Sequence, residues 1–145
     1  MNVQPIDPKK RRSGHRTQWA AQFAVASELC KRGHEVSFTM GNRTPLADLM
    51  VVSPVEKKMF LVDVKGLYRK NPWIISRKPL RAELFYVLAY VPDDAPNEFF
   101  ILTQELVDHY IDVELHRLGR DQDYGMMGIL WTQAAVHKDW NILPP

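Results

Sequence analysis

The stretch Phe60-Leu-Val-Asp63-Val-Lys65-Gly66 places an acid and a lysine on an otherwise apolar segment that has the pattern of a β-strand. Side chains alternate between the two faces of a strand, so Asp63 and Lys65 share one face, about 6–7 Å apart along the chain. Phe60 and every second residue after it face the other way. Buried strands rarely carry charges without a reason, so the pair is a candidate active site.

A second acid lies on the preceding apolar segment, Pro45-Leu-Ala-Asp48-Leu-Met-Val-Val52. A short polar loop, residues 53–58, connects the two segments and predicts a hairpin. Asp48 is therefore expected to face Asp63 from the adjacent strand. Two carboxylates beside an ammonium group can hold a hard divalent cation together with a water molecule.

The bulk properties limit the class of protein. A chain of 145 residues with 46% hydrophobic residues is expected to form one soluble domain with a substantial core. No apolar run reaches the ~20 residues that span a bilayer, and the charged start lacks the apolar core of a secretory signal. Cys30 is the single cysteine and is predicted to pack in the core, so a reducing, cytoplasmic setting is expected.

The net charge of +2 conceals an uneven distribution. Residues 17–91 contain eleven Lys or Arg against six Asp or Glu, whereas residues 92–123 contain nine acids against two arginines. The carboxylate–lysine motif lies in the basic part, which favours a polyanionic substrate. The plainer interpretation is that both charge runs are solvated surface.

The remaining pattern predicts an alternation of helices and strands. Residues 1–16 are expected to form a flexible basic arm, and residues 17–32 a helix ended by Gly33. On that helix Trp19, Phe23, Ala26 and Cys30 form the predicted apolar stripe. The other predicted elements are strands at 35–40, 47–52, 59–64, 84–91 and 98–102, a mixed segment at 67–81, a helix at 104–118 capped by Thr103, and a short strand or core segment at 129–131.

Four short motifs in this order resemble the PD-(D/E)XK superfamily of restriction-endonuclease-like nucleases. They are Glu28-Leu-Cys-Lys-Arg-Gly33, Gly41-Asn42, Ala47-Asp48-Leu49 and Val62-Asp63-Val64-Lys65. The resemblance covers residues 17–66 well and the later elements only in general layout. It implies an α/β fold with a restriction-endonuclease-like αβββαβ core, in which helices flank a mixed central sheet, over a single nuclease-like domain at 17–145.

The resemblance also implies an activity, namely metal-dependent endonucleolytic hydrolysis of phosphodiester bonds in DNA, with branched or unusual structures as candidate substrates. Mg²⁺, or Mn²⁺ in its place, would be held by Asp48, Asp63 and the Val64 carbonyl, and Lys65 would orient or help deprotonate the water. Family members often carry a metal-site glutamate on the first helix. That position falls on Gln22, whose amide oxygen can still bind a metal directly or through water.

Basic residues outside the motif are candidates for contact with nucleic acid. They are Lys10, Arg11, Arg12, Arg16, Arg69 and Lys70. Trp73, near Arg77 and Lys78, could stack on a base. A tryptophan that packs under a basic loop would account for the same sequence equally well.

Other readings of the motif stay open. Asp63 and Lys65 could form a simple ion pair at a strand end. The chain could be a catalytically inactive nucleic-acid-binding module on the same fold, which Gln22 favours, or an interaction protein that uses the acidic residues 92–123. A homodimer would bring two sites to two strands, with Tyr86, Tyr90 and the helix near Tyr110 as candidate interface.

Overall fold

The computed structural model describes residues 12–39, 47–121 and 125–145. In chain order the elements are α1 (Gly14–Lys31), β1 (Glu35–Phe38), β2 (Leu49–Val52), β3 (Met59–Leu67), β4 (Trp73–Ser76), β5 (Leu84–Tyr90), β6 (Glu98–Thr103), α2 (Gln104–Arg117), β7 (Met126–Ile129), α3 (Trp131–Ala134) and a 3₁₀ turn (Trp140–Ile142). In these parts of the chain, no helix combines the length and apolar composition needed to cross a bilayer.

Five strands form the central sheet in the order β1-β2-β3-β5-β6. The β3–β5 pair is parallel, whereas β1–β2, β2–β3 and β5–β6 are antiparallel. The sheet is therefore mixed, as predicted. β4 and β7 pair with each other in a separate two-stranded sheet. This sheet was not predicted, because residues 67–81 were assigned as a mixed segment and the candidate strand at 129–131 overlaps β7 only at Ile129.

Helix α1 begins earlier than predicted. The Ser13 hydroxyl accepts a hydrogen bond from the Arg16 amide and caps the helix, so the first turn starts at Gly14. Arg16 therefore lies in the helix and not in the predicted arm. The prediction for it was wrong because Ser13 was not recognised as the cap. The earlier part of that arm, residues 1–11, lies outside the described residues.

The buried face of α1 also differs from the predicted stripe. Phe23 is 59% exposed and Cys30 is exposed. Trp19 stacks on Phe23, which packs on Phe38 of β1. The residues that α1 buries are Thr17, Ala21, Gln22, Val25, Ala26 and Leu29. The predictions that Phe23 belongs to the buried stripe and that Cys30 packs in the core are therefore wrong.

A close approach between α1 and β3 explains this choice of face. A Cβ atom added to Gly66 would lie 2.6 Å from the Ala21 Cβ and 3.1 Å from the Thr17 carbonyl oxygen. Only small side chains fit where a helix meets a glycine this closely, so the large aromatic side chains of α1 lie to one side. The face that α1 buries is therefore less apolar than the face that its hydrophobic pattern predicted.

The alternation of β3 is confirmed, because each of its faces belongs to a different core. Phe60, Val62 and Val64 pack with α1 in one cluster. Leu61 packs with α2 and the β4–β7 pair in the other. Asp63 and Lys65 therefore extend from the α2 side of the sheet, near the carboxyl end of β3.

Candidate active site

β2 and β3 separate just before the acidic residues. Their last paired residues are Leu49 and Val62, and the Asp48 amide still donates to the Val62 carbonyl at 3.1 Å. Beyond this point the Asp48 carboxylate takes the place of the missing strand, because its Oδ2 accepts a hydrogen bond from the Val64 amide at 2.7 Å. The fold thus fixes Asp48 beside β3 by a backbone contact.

The Gln18 side chain of α1 likewise forms hydrogen bonds with the β3 backbone, one step further along the strand. Its Nε2 donates to the Val64 carbonyl at 2.7 Å, and its Oε1 accepts from the Gly66 amide at 3.3 Å. The Val64 carbonyl, predicted to be a metal ligand, therefore already has a protein partner. A carbonyl oxygen has two lone pairs, and its role in metal binding stays a prediction.

Gln22 contacts one of the two acids, Asp48, and its predicted part in a metal site stays a prediction. It is buried, and its Nε2 donates to Asp48 Oδ1 at 3.3 Å. Gln18, one turn earlier, was missed. The available signal was a pair of glutamines spaced four residues apart, which places both on one helix face.

Asp63 contacts two lysines through one oxygen. It is 2% exposed, and its Oδ2 lies 2.6 Å from Lys78 Nζ and 3.6 Å from Lys65 Nζ. The shorter contact comes from a residue that the motif does not contain. Lys78 lies in the irregular segment after β4, so no strand or helix period could have predicted its position.

The two acids influence each other. Burial, together with a hydrogen bond to Asp63 and the charge of Asp63, raises the pKa of Asp48 from 3.8 to about 7, against the opposing effects of the Val64 amide and Lys65. Tyr86 lies opposite Asp63 on β5, and burial followed by the charges of Asp63 and Asp108 raises the pKa of its phenol. Two adjacent carboxyl groups that hold a proton with unusual affinity form a site that a cation can also occupy.

The segment that carries Lys78 is held by α2. Gln104, buried at the start of that helix, donates through Nε2 to the Lys78 and Pro79 carbonyls at 3.2 and 3.0 Å. Its Oε1 accepts from the Arg81 amide at 2.7 Å. Gln104 is therefore a positioning residue for Lys78.

The oxygen atoms of this site suit a hard cation that needs few protein ligands. Within residues 12–39, 47–121 and 125–145, no three or more His, Cys, Asp or Glu side chains are grouped so that they could hold a metal ion together. Asp48 and Asp63 supply the acidic oxygens, and the Gln22 side chain and the Val64 backbone add neutral ones. Mg²⁺ commonly binds through one or two carboxylates and retains several waters, so these residues suit it.

Comparison with known proteins places this geometry in a fold. No protein-family model matches the sequence, and no curated protein matches it significantly. Among solved structures, the chain is similar to the Holliday junction resolvase Hjc of Archaeoglobus fulgidus, with 12% identity and a TM-score of 0.52 over 86% of this chain and 93% of that one. The chain therefore has a restriction-endonuclease-like fold, a mixed central sheet flanked by helices. A bacterial homing endonuclease, I-Ssp6803I, also matches, with 20% identity and a TM-score of 0.45 over 90% of this chain and 85% of that one.

The basic residues predicted to contact nucleic acid lie in different environments around this core. Arg12 donates to the Val91 carbonyl at 2.7 Å and pairs with Asp93, while Arg16 is exposed on the first turn of α1. The guanidinium of Arg69 lies over the Tyr68 ring. Lys70 lies 5.1 Å from the Trp131 ring centroid, and Lys10 and Arg11 are outside the described residues.

Two aromatic residues that were candidates for contact with a partner are buried, and for Trp73 the alternative of a packed tryptophan is the one found. Trp73 is 1% exposed, and its Nε1 donates to the Ala89 carbonyl, so it is a core residue and does not stack on a base. Tyr86 is also 1% exposed and is unavailable to the dimer interface suggested for it. Both lie on strands whose buried faces the sequence pattern did not distinguish from exposed ones.

Proposed function

We propose that this chain is a divalent-metal-dependent nuclease that hydrolyses phosphodiester bonds in DNA. The observation that carries the proposal is the meeting of Asp48 and Asp63, with Lys65 beside them, where β2 and β3 separate. Asp63 is almost fully buried, and a buried carboxylate is found where it is paired with cationic groups or binds a metal ion. The likeness to Hjc supports a nuclease because the two chains share a fold.

Each residue has a distinct task in this proposal. Asp48 and Asp63 hold Mg²⁺, with Gln22 contributing through its amide. The ion, when bound, neutralises charge on the phosphate and lowers the pKa of a coordinated water. Lys65 extends from the same face as Asp63 and, at about one-third exposure, can orient the attacking water and donate to a phosphate oxygen.

Lys78 adds a second positive charge on the same carboxylate. In the absence of a cation its ammonium group compensates Asp63, which would otherwise be a buried charge beside Asp48. Its side chain is 22% exposed, so it can also face the phosphate of a bound strand. We assign Lys78 a role in charge compensation and Lys65 the role in the reaction itself.

A cleavage panel tests this function. The substrates are labelled single-stranded, duplex, nicked and four-way DNA, together with RNA, each incubated with Mg²⁺, Mn²⁺ or EDTA. Four-way DNA is included because the similar archaeal protein is a Holliday junction resolvase. We expect metal-dependent cleavage of DNA that Lys65→Ala abolishes and that Lys58→Ala, an exposed lysine just before β3, leaves unchanged.

A second candidate function is binding without cleavage on the same fold. Its support is the pair of glutamines, Gln18 and Gln22, because α1 offers only neutral amides where an acid would complete a metal site. Binding of DNA that is unaffected by EDTA, with no cleavage under any condition, would favour this function. A protein-interaction role for residues 92–123 has less support, since Asp108 and Asp112 pair internally with Arg77. A homodimer stays a prediction.

A further inference from the structure

A cavity of about 330 Å³ lies between the amino-terminal end of α1 and the carboxyl-terminal end of β3. At α1 its lining includes the cap Ser13 together with Gly14 and Thr17 of the first turn. At β3 the lining includes Gly66, Tyr68 and Arg69, from the end of the strand and the residues after it. Arg12 also lines it. Gly66 directly follows Lys65, so the cavity adjoins the candidate active site while opening on the α1 side of the sheet.

The polar groups around the cavity suit an anion. The first turn of an α-helix presents backbone N–H groups and a partial positive charge. Arg12 and Arg69 both place a guanidinium over the Tyr68 ring, at 5.3 and 5.1 Å from its centroid. None of the described lining residues is acidic.

Two buried hydroxyl groups at the cavity lack partners. Thr17 is 3% exposed, and neither its Oγ1 nor the Tyr68 hydroxyl has a hydrogen-bond partner among the described residues. A buried hydroxyl without a partner carries a desolvation cost, so native proteins usually satisfy it. A bound ligand with several acceptor oxygens would satisfy both groups.

We propose that this cavity binds a backbone phosphate of the nucleic acid strand, near the phosphate that the carboxylates would act on. The inference rests on the proposed function for the identity of the ligand. Arg12 is anchored by the Val91 carbonyl and Asp93, so its guanidinium stays at the cavity, and Arg69 has no carboxylate partner in the described part of the chain. The Thr17 hydroxyl donates to a phosphate oxygen when the strand is bound.

The proposed phosphate site is tested by measuring DNA binding under conditions in which no metal ion is available for cleavage. A labelled four-way DNA is titrated in EDTA over a range of salt concentrations, and binding is measured by fluorescence anisotropy. We expect Arg69→Gln to weaken binding roughly fivefold to tenfold and to reduce the slope of log affinity against log salt by about 0.9, the value for one lost phosphate contact. Arg32→Gln, a guanidinium over Trp140 beyond the other end of α1, is the matched control and should bind as the wild type does.

Thr17→Val separates binding from folding. The substitution keeps the shape and removes the unpartnered hydroxyl, so the unfolding midpoint of the free protein should stay the same or rise. DNA affinity should nevertheless fall about tenfold to a hundredfold, as expected for one lost hydrogen bond to a charged group. A merely structural role for Thr17 would move the two measurements in the same direction.

A scan with single uncharged methylphosphonate groups locates the phosphate. One position should weaken wild-type binding and have no further effect on Arg69→Gln. Wild-type affinity and salt slope in both Arg69→Gln and Thr17→Val would overturn the proposal. So would stabilisation by inorganic phosphate that Thr17→Val abolishes without any change in DNA binding, because the cavity would then hold a free anion.

The same data separate this inference from the proposed function. Binding defects in both variants, without metal-dependent cleavage by the wild type, would support the phosphate site and refute the nuclease. Cleavage by a wild type whose variants bind normally would do the reverse. A wild type that binds no DNA would overturn both.

Discussion

Replacing Asp48 with asparagine should stabilise the metal-free protein at alkaline pH. The folded protein raises the pKa of Asp48 from 3.8 to about 7, mainly through burial and then through Asp63. A group whose pKa is raised by folding stabilises the protein below the unfolded pKa, and that contribution is lost as the pH rises through the folded pKa. The free energy of unfolding should therefore fall between about pH 4 and pH 8.

The size of this loss follows from the pKa difference. A difference of about three pKa units corresponds to about 4 kcal/mol, and partial exposure of the Asp48 carboxyl to solvent reduces this to about 2 kcal/mol. Asparagine is neutral at every pH. Its carbonyl can still accept from the Val64 amide, and its NH₂ group can donate to Asp63 as the protonated acid does. The Gln22 amide, which donates to Asp48 Oδ1, would turn over to present its oxygen to the new NH₂ group.

Urea unfolding in EDTA at several pH values between 4 and 8 measures the effect. We expect Asp48→Asn to be more stable than the wild type by about 2 kcal/mol at pH 8 and nearly equal to it at pH 4. Asp94→Asn, in the exposed turn before β6, is the matched control and should follow the wild-type profile. If the stability of the wild type and of Asp48→Asn changed in parallel with pH, the raised pKa of Asp48 would be refuted. Addition of Mg²⁺ at pH 8 should stabilise the wild type much more than the variant.

Three further substitutions examine the packing and the charges. Gly66→Ala should lower the free energy of unfolding by about 1–3 kcal/mol, because its Cβ would lie 2.6 Å from a buried helix side chain, whereas Gly14→Ala has open space and should be nearly neutral in the same urea experiment. Lys78→Met should destabilise the metal-free protein by about 1–3 kcal/mol while strengthening Mg²⁺ binding in calorimetry, because the ammonium that competes for the carboxylate is gone. Lys58→Met is its control, and unchanged Mg²⁺ affinity in Lys78→Met would contradict the assigned competition. Gln22→Glu should tighten Mg²⁺ binding by adding a third acid and should destabilise the metal-free protein, whereas a loss of Mg²⁺ affinity would place residue 22 outside the ion's reach.

Much of the central sheet and the core of the site could be predicted from local sequence. The period of two along β3 was sufficient to place Asp63 and Lys65 on one face, and the short loop before it was sufficient to bring Asp48 alongside. These features depend on alternation and on a hairpin, which involve neighbouring residues. Thr103 was likewise identifiable as the cap of α2, and its hydroxyl accepts from the Leu106 amide.

The unpredicted parts depend on contacts between distant segments. Lys78 reaches Asp63 because Gln104 of α2 holds the segment after β4, and no local period records that contact. The buried face of α1 was misassigned for a related reason. Hydrophobicity favoured its aromatic residues, whereas the close approach at Gly66 required Ala21 and tolerated Thr17.

The charge balance of the site connects the two glutamines with the two lysines. With both Asp48 and Asp63 ionised, Lys65 and Lys78 compensate them, and Gln22 adds no further charge. A glutamate at residue 22 would leave the site with a net negative charge that attracts a cation by itself. With glutamine there, the metal-free site is neutral only above the Asp48 pKa of about 7, so electrostatic attraction for Mg²⁺ grows when a phosphate group brings additional negative charge. Under the proposed function, Gln22 therefore favours a site in which the ion and the nucleic acid bind together.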